Sequence, residues 1–215
     1  MGRTGRARGR RKRAPHCVNL SEGAVYRDLA VWLAGLGCYA PALLRPALFP
    51  GVGRGLQARH SFQPGSILLS IPRDALVTPS LAAAALPDLS DLPGPALLAA
   101  WLLLERRRGA LSSHAPYIAS LPRHYTTPYF CLSAELEVMP AWLRGPVELQ
   151  REAVAAERAA AAARGARTSL QEWAWAWASV NTRAVYLPDQ ATHLSNIHRL
   201  QQSVMPRIKP TLMVD

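Results

Sequence analysis

Lysine is almost missing from this 215-residue chain: Lys12 and Lys209 stand alone among 25 basic residues, and the other bases are arginine. Guanidinium groups suit bidentate recognition of phosphate or carboxylate. Here alanine, glycine, proline and arginine are raised together, which reads as compositional bias rather than selection for a ligand. Cysteine is scarce as well. Cys17, Cys38 and Cys131 form no C-x-x-C pair, and their odd number speaks against a disulfide framework and a cysteine-based zinc site. Long apolar runs are absent. The longest, Ala96–Leu104, is nine residues, far short of the ~20 needed to span a bilayer. The basic start is followed by Pro15, His16 and Asn19 instead of an apolar segment, so no secretory signal is expected. The chain therefore reads as soluble and intracellular, with no membrane partner. No Ser/His/Asp set, P-loop or H-E-x-x-H occurs. His193 and His198 are five apart, and Asp189 with His193, although at helical i,i+4 spacing, supplies two ligands only, so no metal site is expected.

What is present is apolar enough to fold. Hydrophobic residues make up 49% of the chain and mean hydropathy is +0.00, which excludes wholesale disorder. The net charge of +11 is unevenly spread. Arg3, Arg6, Arg8, Arg10, Arg11, Lys12 and Arg13 carry seven bases with no acid among them, and setting them aside lowers +11 to +4. The run Arg8–Arg13 is open to three readings: a nuclear-import signal, a nucleic-acid contact or a solvated arm. Its Gly and Arg content gives no helical face, so Arg3–Arg13 is expected to stay disordered until something binds it.

Along the chain, Val25, Leu29, Trp32, Leu33 and Leu36 recur at three- and four-residue steps and predict an amphipathic helix, with Ser21 as N-cap and Gly37 at the stop. The Pro/Gly-rich passage Pro41–Gly55 denies helix. Two short strands are expected next, Leu56–His60 and Ser66–Ile71, around a Pro64–Gly65 turn. Leu81–Leu86, Pro95–Arg108 and Leu132–Ala163 are helix-forming, and the Ala-rich stretch Glu148–Arg167 predicts a long helix with a shallow apolar face. Trp173, Trp175 and Trp177 alternate as in a strand, while Trp173, Trp177, Val180 and Ala184 fit one helical face; periodicity leaves both open. Helix, short β region, helical block and tryptophan element together give an α+β class, not a doubly wound sheet.

Three strings carry chemistry. Gly51-Val52-Gly53-Arg54-Gly55-Leu56 is a Gly-rich loop that either brings backbone groups close to a ligand or is a plain turn. It is not a dinucleotide fingerprint, because the G-x-G-x-x-G spacing is absent and strand signals follow it. Arg183 sits in an apolar run, Val180–Leu187, where burial demands an anion: an acid of the helical block, or a ligand carboxylate. The three tryptophans allow a third idea, an aromatic cage for a methylated lysine, although aromatics at helical spacing usually form core.

Read together, the strings resemble a known family. F-P-G-V-G-R-G-L followed by L-Q-A-R-H-S-F-Q-P-G-S-I-L-L-S-I-P (Leu56–Pro72) resembles the opening of a SET domain of the Rubisco large-subunit methyltransferase-like branch. L-P-R-H-Y-T-T-P-Y-F (Leu121–Phe130) is similar to a passage in that branch's helical insertion, and W-A-W-A-S-V-N-T-R-A-V-Y-L (Trp175–Leu187) to the segment after it. The likeness covers about Ser21 to Leu187. It implies a SET-type protein-lysine N-methyltransferase using S-adenosylmethionine on a histone or other lysine-bearing protein, in the nucleus and cytosol. It further implies that the backbone at Val52, Gly53 and Arg54 holds the cofactor, with Arg183 near its carboxylate.

The resemblance also implies an order: a basic disordered tail at 1–18, an N-terminal helix at 19–40, the first part of the SET domain at 45–80, a helical insertion at 81–170, a return to the SET domain at 171–188 and a divergent tail at 189–215. The family's adjacent Asn-His pair is missing, since Ile197 separates Asn196 from His198, and no tyrosine follows Tyr186. The insertion is shortened around Arg158–Leu170. No catalytic residue is therefore assigned. The expectation is a C-terminally truncated or spliced form that lacks the end of the SET core and the substrate-binding domain, with impaired catalysis. The alternative is a non-catalytic SET fragment that binds protein or nucleic acid through its basic tail and helical insertion.

Overall fold

The computed structural model describes residues 17–38 and 44–185. Two compact units divide the chain, Met1–Val180 and Asn181–Asp215. Within the first, three strands β1 (Val18–Asn19), β2 (Leu44–Phe49) and β3 (Gly53–Ala58) form an antiparallel sheet in the order β1-β2-β3. Seven helices accompany them among the described residues: α1 (Ala24–Gly35), α2 (Pro79–Ala85), α3 (Gly94–Arg108), α4 (Ala115–Ser120), α5 (Ser133–Glu137), α6 (Ala141–Ala163) and α7 (Leu170–Asn181). The α+β class expected from the sequence is the class observed.

Helix boundaries follow local chemistry. The α2 start uses Thr78, whose Oγ1 accepts from the Leu81 N–H at 3.2 Å, with Pro79 in the first turn where its missing donor costs nothing. Ser169 and Glu172 form a reciprocal cap at α7: Ser169 Oγ accepts from the Glu172 N–H at 3.2 Å and Glu172 Oε2 accepts from the Ser169 N–H at 2.8 Å. Gly37, at φ +76°, ends α1 as expected, its N–H donating to the Ala34 carbonyl at 2.9 Å.

Several expectations need correction. Gly23, not Ser21, is the N-cap of α1, its carbonyl accepting from the Tyr26 and Arg27 N–H groups at 3.0 and 3.1 Å. The helix-forming stretch Leu132–Ala163 holds two helices, α5 and α6, broken before Pro140, which cannot donate into a continuing helix. The strand placed at Leu56–His60 begins three residues earlier, and its partner β2 lies inside the Pro/Gly passage that had been read as turns. Ser66–Ile71 makes no strand. Its Ile67, Leu68, Leu69 and Ile71 are exposed, and no described strand pairs with it. The tryptophan element is helical.

The core lies in the helices. Buried Leu97, Trp101 and Leu103 of α3 meet Val154 and Ala161 of α6 and Trp173 of α7. The sheet's only fully buried apolar side chain among the described residues is Ala47. Trp173 is completely enclosed, yet its Nε1–H has no acceptor. Glu157 shares the helical stripe of Val154 and Ala161, with Oε2 buried and unpartnered, and burial pushes its pKa up.

Two outcomes follow. Trp173→Ala should cost about 3–5 kcal/mol in urea denaturation through the cavity it leaves, while Trp173→Phe should cost clearly less because it also removes a buried donor without a partner. Folded Glu157 holds its proton more tightly than the unfolded chain does, so this group's stabilising contribution is lost as pH rises from about 4.5. Glu157→Gln should raise the melting temperature at neutral pH and leave it unchanged at about pH 4, where both states are largely protonated.

Candidate cofactor-binding hairpin

β2 and β3 are joined by Pro50, Gly51 and Val52, with the Val52 N–H donating to the Phe49 carbonyl at 3.1 Å. The glycines differ in purpose. Gly51 (φ +74°) and Gly53 (φ +102°) occupy backbone conformations that side chains disfavour, yet a Cβ on either would meet nothing within 4 Å. Space over the turn is open. At Gly55 the reason is packing, since a Cβ there would sit 3.3 Å from the Phe49 ring. Val52, 87% exposed, projects from the tip.

The register decides where backbone groups point. Pro46 pairs with Leu56, and its carbonyl accepts from the Leu20 N–H at 3.0 Å, so Pro46 faces the β1 side. In an antiparallel ladder successive residues alternate between facing the partner and facing away. Arg54, Leu56 and Ala58 therefore turn their N–H and C=O groups to the outer edge of β3, which no described strand covers. Of the residues named from the sequence, Arg54 presents its peptide groups on the open edge, Gly53 supplies the backbone turn and Val52 forms the tip. Leu56 joins them, and its role was not read from the sequence, although the alternation within a strand could have found it.

The side chain of Arg54 runs the other way. Its Nη1 donates to the Tyr26 hydroxyl of α1 at 3.2 Å and to the Ser120 carbonyl at the end of α4 at 2.9 Å. α1 and α4 are themselves packed together: Trp32 Nε1 donates to the Ser113 carbonyl at 2.7 Å, and the Trp32 ring stacks on Tyr117 at 6.4 Å. His114 lies edge-on to Trp32 at 5.7 Å and to Trp101 at 4.9 Å. Burial pushes its pKa down against the opposing pull of Glu105.

The tryptophans do not form a cage. Trp173 is enclosed in the core, Trp177 packs on Tyr129 at 5.4 Å, and Trp175 points elsewhere, donating to the Pro122 carbonyl at 2.9 Å beneath the Arg106 guanidinium, 4.1 Å from its ring centroid. One turn of helix between Trp173 and Trp177 puts those two on one side and Trp175 on another. Arg183 belongs to the second unit, on the turn after α7. Its side chain is exposed and Nη1 donates to Thr182 Oγ1 at 2.6 Å, so the burial expected of it is not observed. Arg3–Arg13, Tyr186, Asp189, His193, Asn196 and His198 lie outside the described residues. Among the described residues no group of three His, Cys, Asp or Glu could hold a metal, and no helix is long and apolar enough to cross a membrane.

No family model matches the chain. SET domain-containing protein 4 of Mus musculus is 34% identical over 209 residues, 86% of this chain and 47% of that protein. The Homo sapiens protein of the same name is 34% identical over 219 residues, 90% of this chain and 49% of its own length. The chain thus spans about half the length of the curated relatives it matches. Among solved structures, Rubisco LSMT bound to AdoMet superposes with a TM-score of 0.67 at 20% identity, over 75% of this chain and 41% of that one. The same enzyme bound to sinefungin and monomethyllysine gives 0.65 at 19% identity, over 75% of this chain and 41% of that one. Sequence and fold together place the chain among the SET-domain proteins, with SET domain-containing protein 4 as a relative it resembles along most of its length.

Proposed function

We propose that these residues form the cofactor-facing part of a SET-type protein-lysine methyltransferase that uses S-adenosylmethionine. The observation that carries this reading is the open outer edge of β3, where the peptide groups of Arg54 and Leu56 face outward beside a turn kept clear by Gly51 and Gly53. Outward N–H and C=O groups are matched to an amino-acid nucleoside, which offers carboxylate and ring acceptors together with ammonium and amino donors. The relatives named above support the same assignment. When bound, S-adenosylmethionine supplies an electrophilic methyl group on a sulfonium, transferable to a neutral lysine amine without a metal.

The part of this chain is to bind and orient. The β3 edge takes hydrogen bonds from the ligand and gives them; from the family resemblance alone, Arg183 is proposed as a residue near a cofactor carboxylate. Catalysis is not assigned to any residue, because the 215 residues contain no adjacent Asn-His pair and no tyrosine after Tyr186. The 215-residue polypeptide is accordingly proposed to bind cofactor but to methylate poorly. Its substrate class is a lysine-bearing protein, histones included, in the nucleus and cytosol. A second reading rests on the seven bases of Arg3–Arg13, unaccompanied by any acid: a non-catalytic SET fragment that binds protein or nucleic acid through this tail and the helical insertion.

Calorimetric titration separates the two. Micromolar binding of S-adenosylmethionine supports the first reading; no heat, together with salt-sensitive DNA or histone binding, supports the second. Gly53→Ala forces a side chain into φ +102°, at a cost of about 1–2 kcal/mol in stability, and should weaken cofactor binding. Incubation with labelled S-adenosylmethionine and histones should give little incorporation. Robust methylation would overturn the proposal of impaired catalysis.

A further inference from the structure

The hairpin has little to hold it in place by burial. Among the described residues of the sheet, Ala47 alone is a fully buried apolar side chain, so hydrophobic packing sets the hairpin's position only loosely. Among the described side-chain hydrogen bonds, those that cross from the hairpin to the helices come from Arg54. A single nitrogen, Nη1, bonds the Tyr26 hydroxyl, 28 residues earlier, and the Ser120 carbonyl, 66 residues later. The two N–H groups of that nitrogen diverge, which fits two acceptors on different elements. The Ser120 carbonyl ends a helix, where carbonyls lack intrahelical donors and a cationic donor is well matched. Both acceptors stand on one surface already joined by the Trp32–Ser113 hydrogen bond and the Trp32–Tyr117 stack.

We infer that Arg54 is a positioning residue: its guanidinium pins β3 to the α1–α4 surface and so fixes the edge on which the cofactor is held. One residue thus has two roles, with its peptide groups facing the ligand edge and its side chain locking that edge in place. The inference rests on the cofactor reading given above, but the pinning itself is observable without any ligand. It also makes α1, which contributes no peptide group to the hairpin, part of what determines cofactor affinity.

Lysine retains the charge but concentrates it at one point, so it can serve one acceptor well and not both. Tyr26→Phe removes one acceptor and leaves the other. Hydrogen–deuterium exchange of the ligand-free 215-residue chain should therefore show Arg54→Met accelerating exchange across residues 50–58 by about three- to tenfold, with α3 unchanged. Arg54→Lys and Tyr26→Phe should fall between Arg54→Met and the parent. Affinity for S-adenosylmethionine should fall in the same order and by a similar factor.

Unchanged exchange in residues 50–58, or equal acceleration in α3, would overturn the pinning, the second because it marks global destabilisation. Local acceleration with parental cofactor affinity would overturn the positioning role. A parent chain that binds no S-adenosylmethionine would defeat the cofactor reading instead. The exchange pattern would then decide the pinning by itself, faster hairpin exchange upholding it and unchanged exchange ending it.

Discussion

Helix α3 is buried at eight positions between Ala96 and Glu105, and a helix so nearly without a solvent face must be enclosed by other elements. Glu105, 3% exposed, is the costly member of that set. A carboxylate there is tolerable only when its oxygens are bonded. Ser112 Oγ donates to Oε2 at 2.5 Å and Arg108 Nη1 to Oε1 at 2.6 Å. Ser112 is thereby fixed, and its oxygen also accepts from the His114 N–H at 3.0 Å. His114 is carried between Trp101 and Trp32, and α4 begins immediately after it. The buried carboxylate of α3 thus helps set where α4 starts, and the end of α4 presents the Ser120 carbonyl that receives Arg54. The most buried helix and the exposed hairpin are linked through α4, with polar contacts at both of its ends.

That series also explains which parts were legible beforehand. α3 could be read because nine consecutive apolar residues bounded by Pro95 and Glu105 have few alternatives to a buried helix. β2 could not, because Pro46, Pro50 and Gly51 signal breaks. Pro46 is tolerated because the carbonyl facing its missing donor, that of Leu20, accepts instead from the Gly23 N–H at 3.0 Å. Ser66–Ile71 failed in the opposite sense: Ser70 makes an isolated bridge, and a strand needs a ladder of successive pairs. Trp173, Trp175 and Trp177 satisfied both periods. Helix prevailed through the Ser169–Glu172 cap and through separate partners for Trp175 and Trp177, neither visible in alternation. At the hairpin the special backbone of Gly53 was legible as glycine. The Arg54 contacts were not, because Tyr26 and Ser120 are distant in sequence and no pattern joins them.

The arginine excess takes on a different meaning in this light. Guanidinium groups here spend their donors chiefly on backbone carbonyls at the ends and joints of helices. Arg54 serves Ser120, Arg107 serves Arg167 at 2.5 Å, Arg158 serves Thr168 at 3.0 Å, and Arg151 serves both Tyr129 and Cys131. By contrast, the described ion pairs Arg107–Glu172 and Arg164–Asp91 are exposed, where such pairs contribute little. A chain of short helices has many terminal carbonyls with no partner in their own helix. A planar group with five donors and no acceptor can satisfy two of them together, as Arg151 does. Compositional bias can supply arginine without specifying where it goes, and the fold uses it as a fastener between loops. An arginine-rich composition in such a chain is therefore weak evidence for a polyanionic ligand, since internal carbonyls engage Arg54, Arg107, Arg151, Arg158 and Arg164. A basic run unaccompanied by any acid carries that argument better, and Arg3–Arg13 is where it has to be tested.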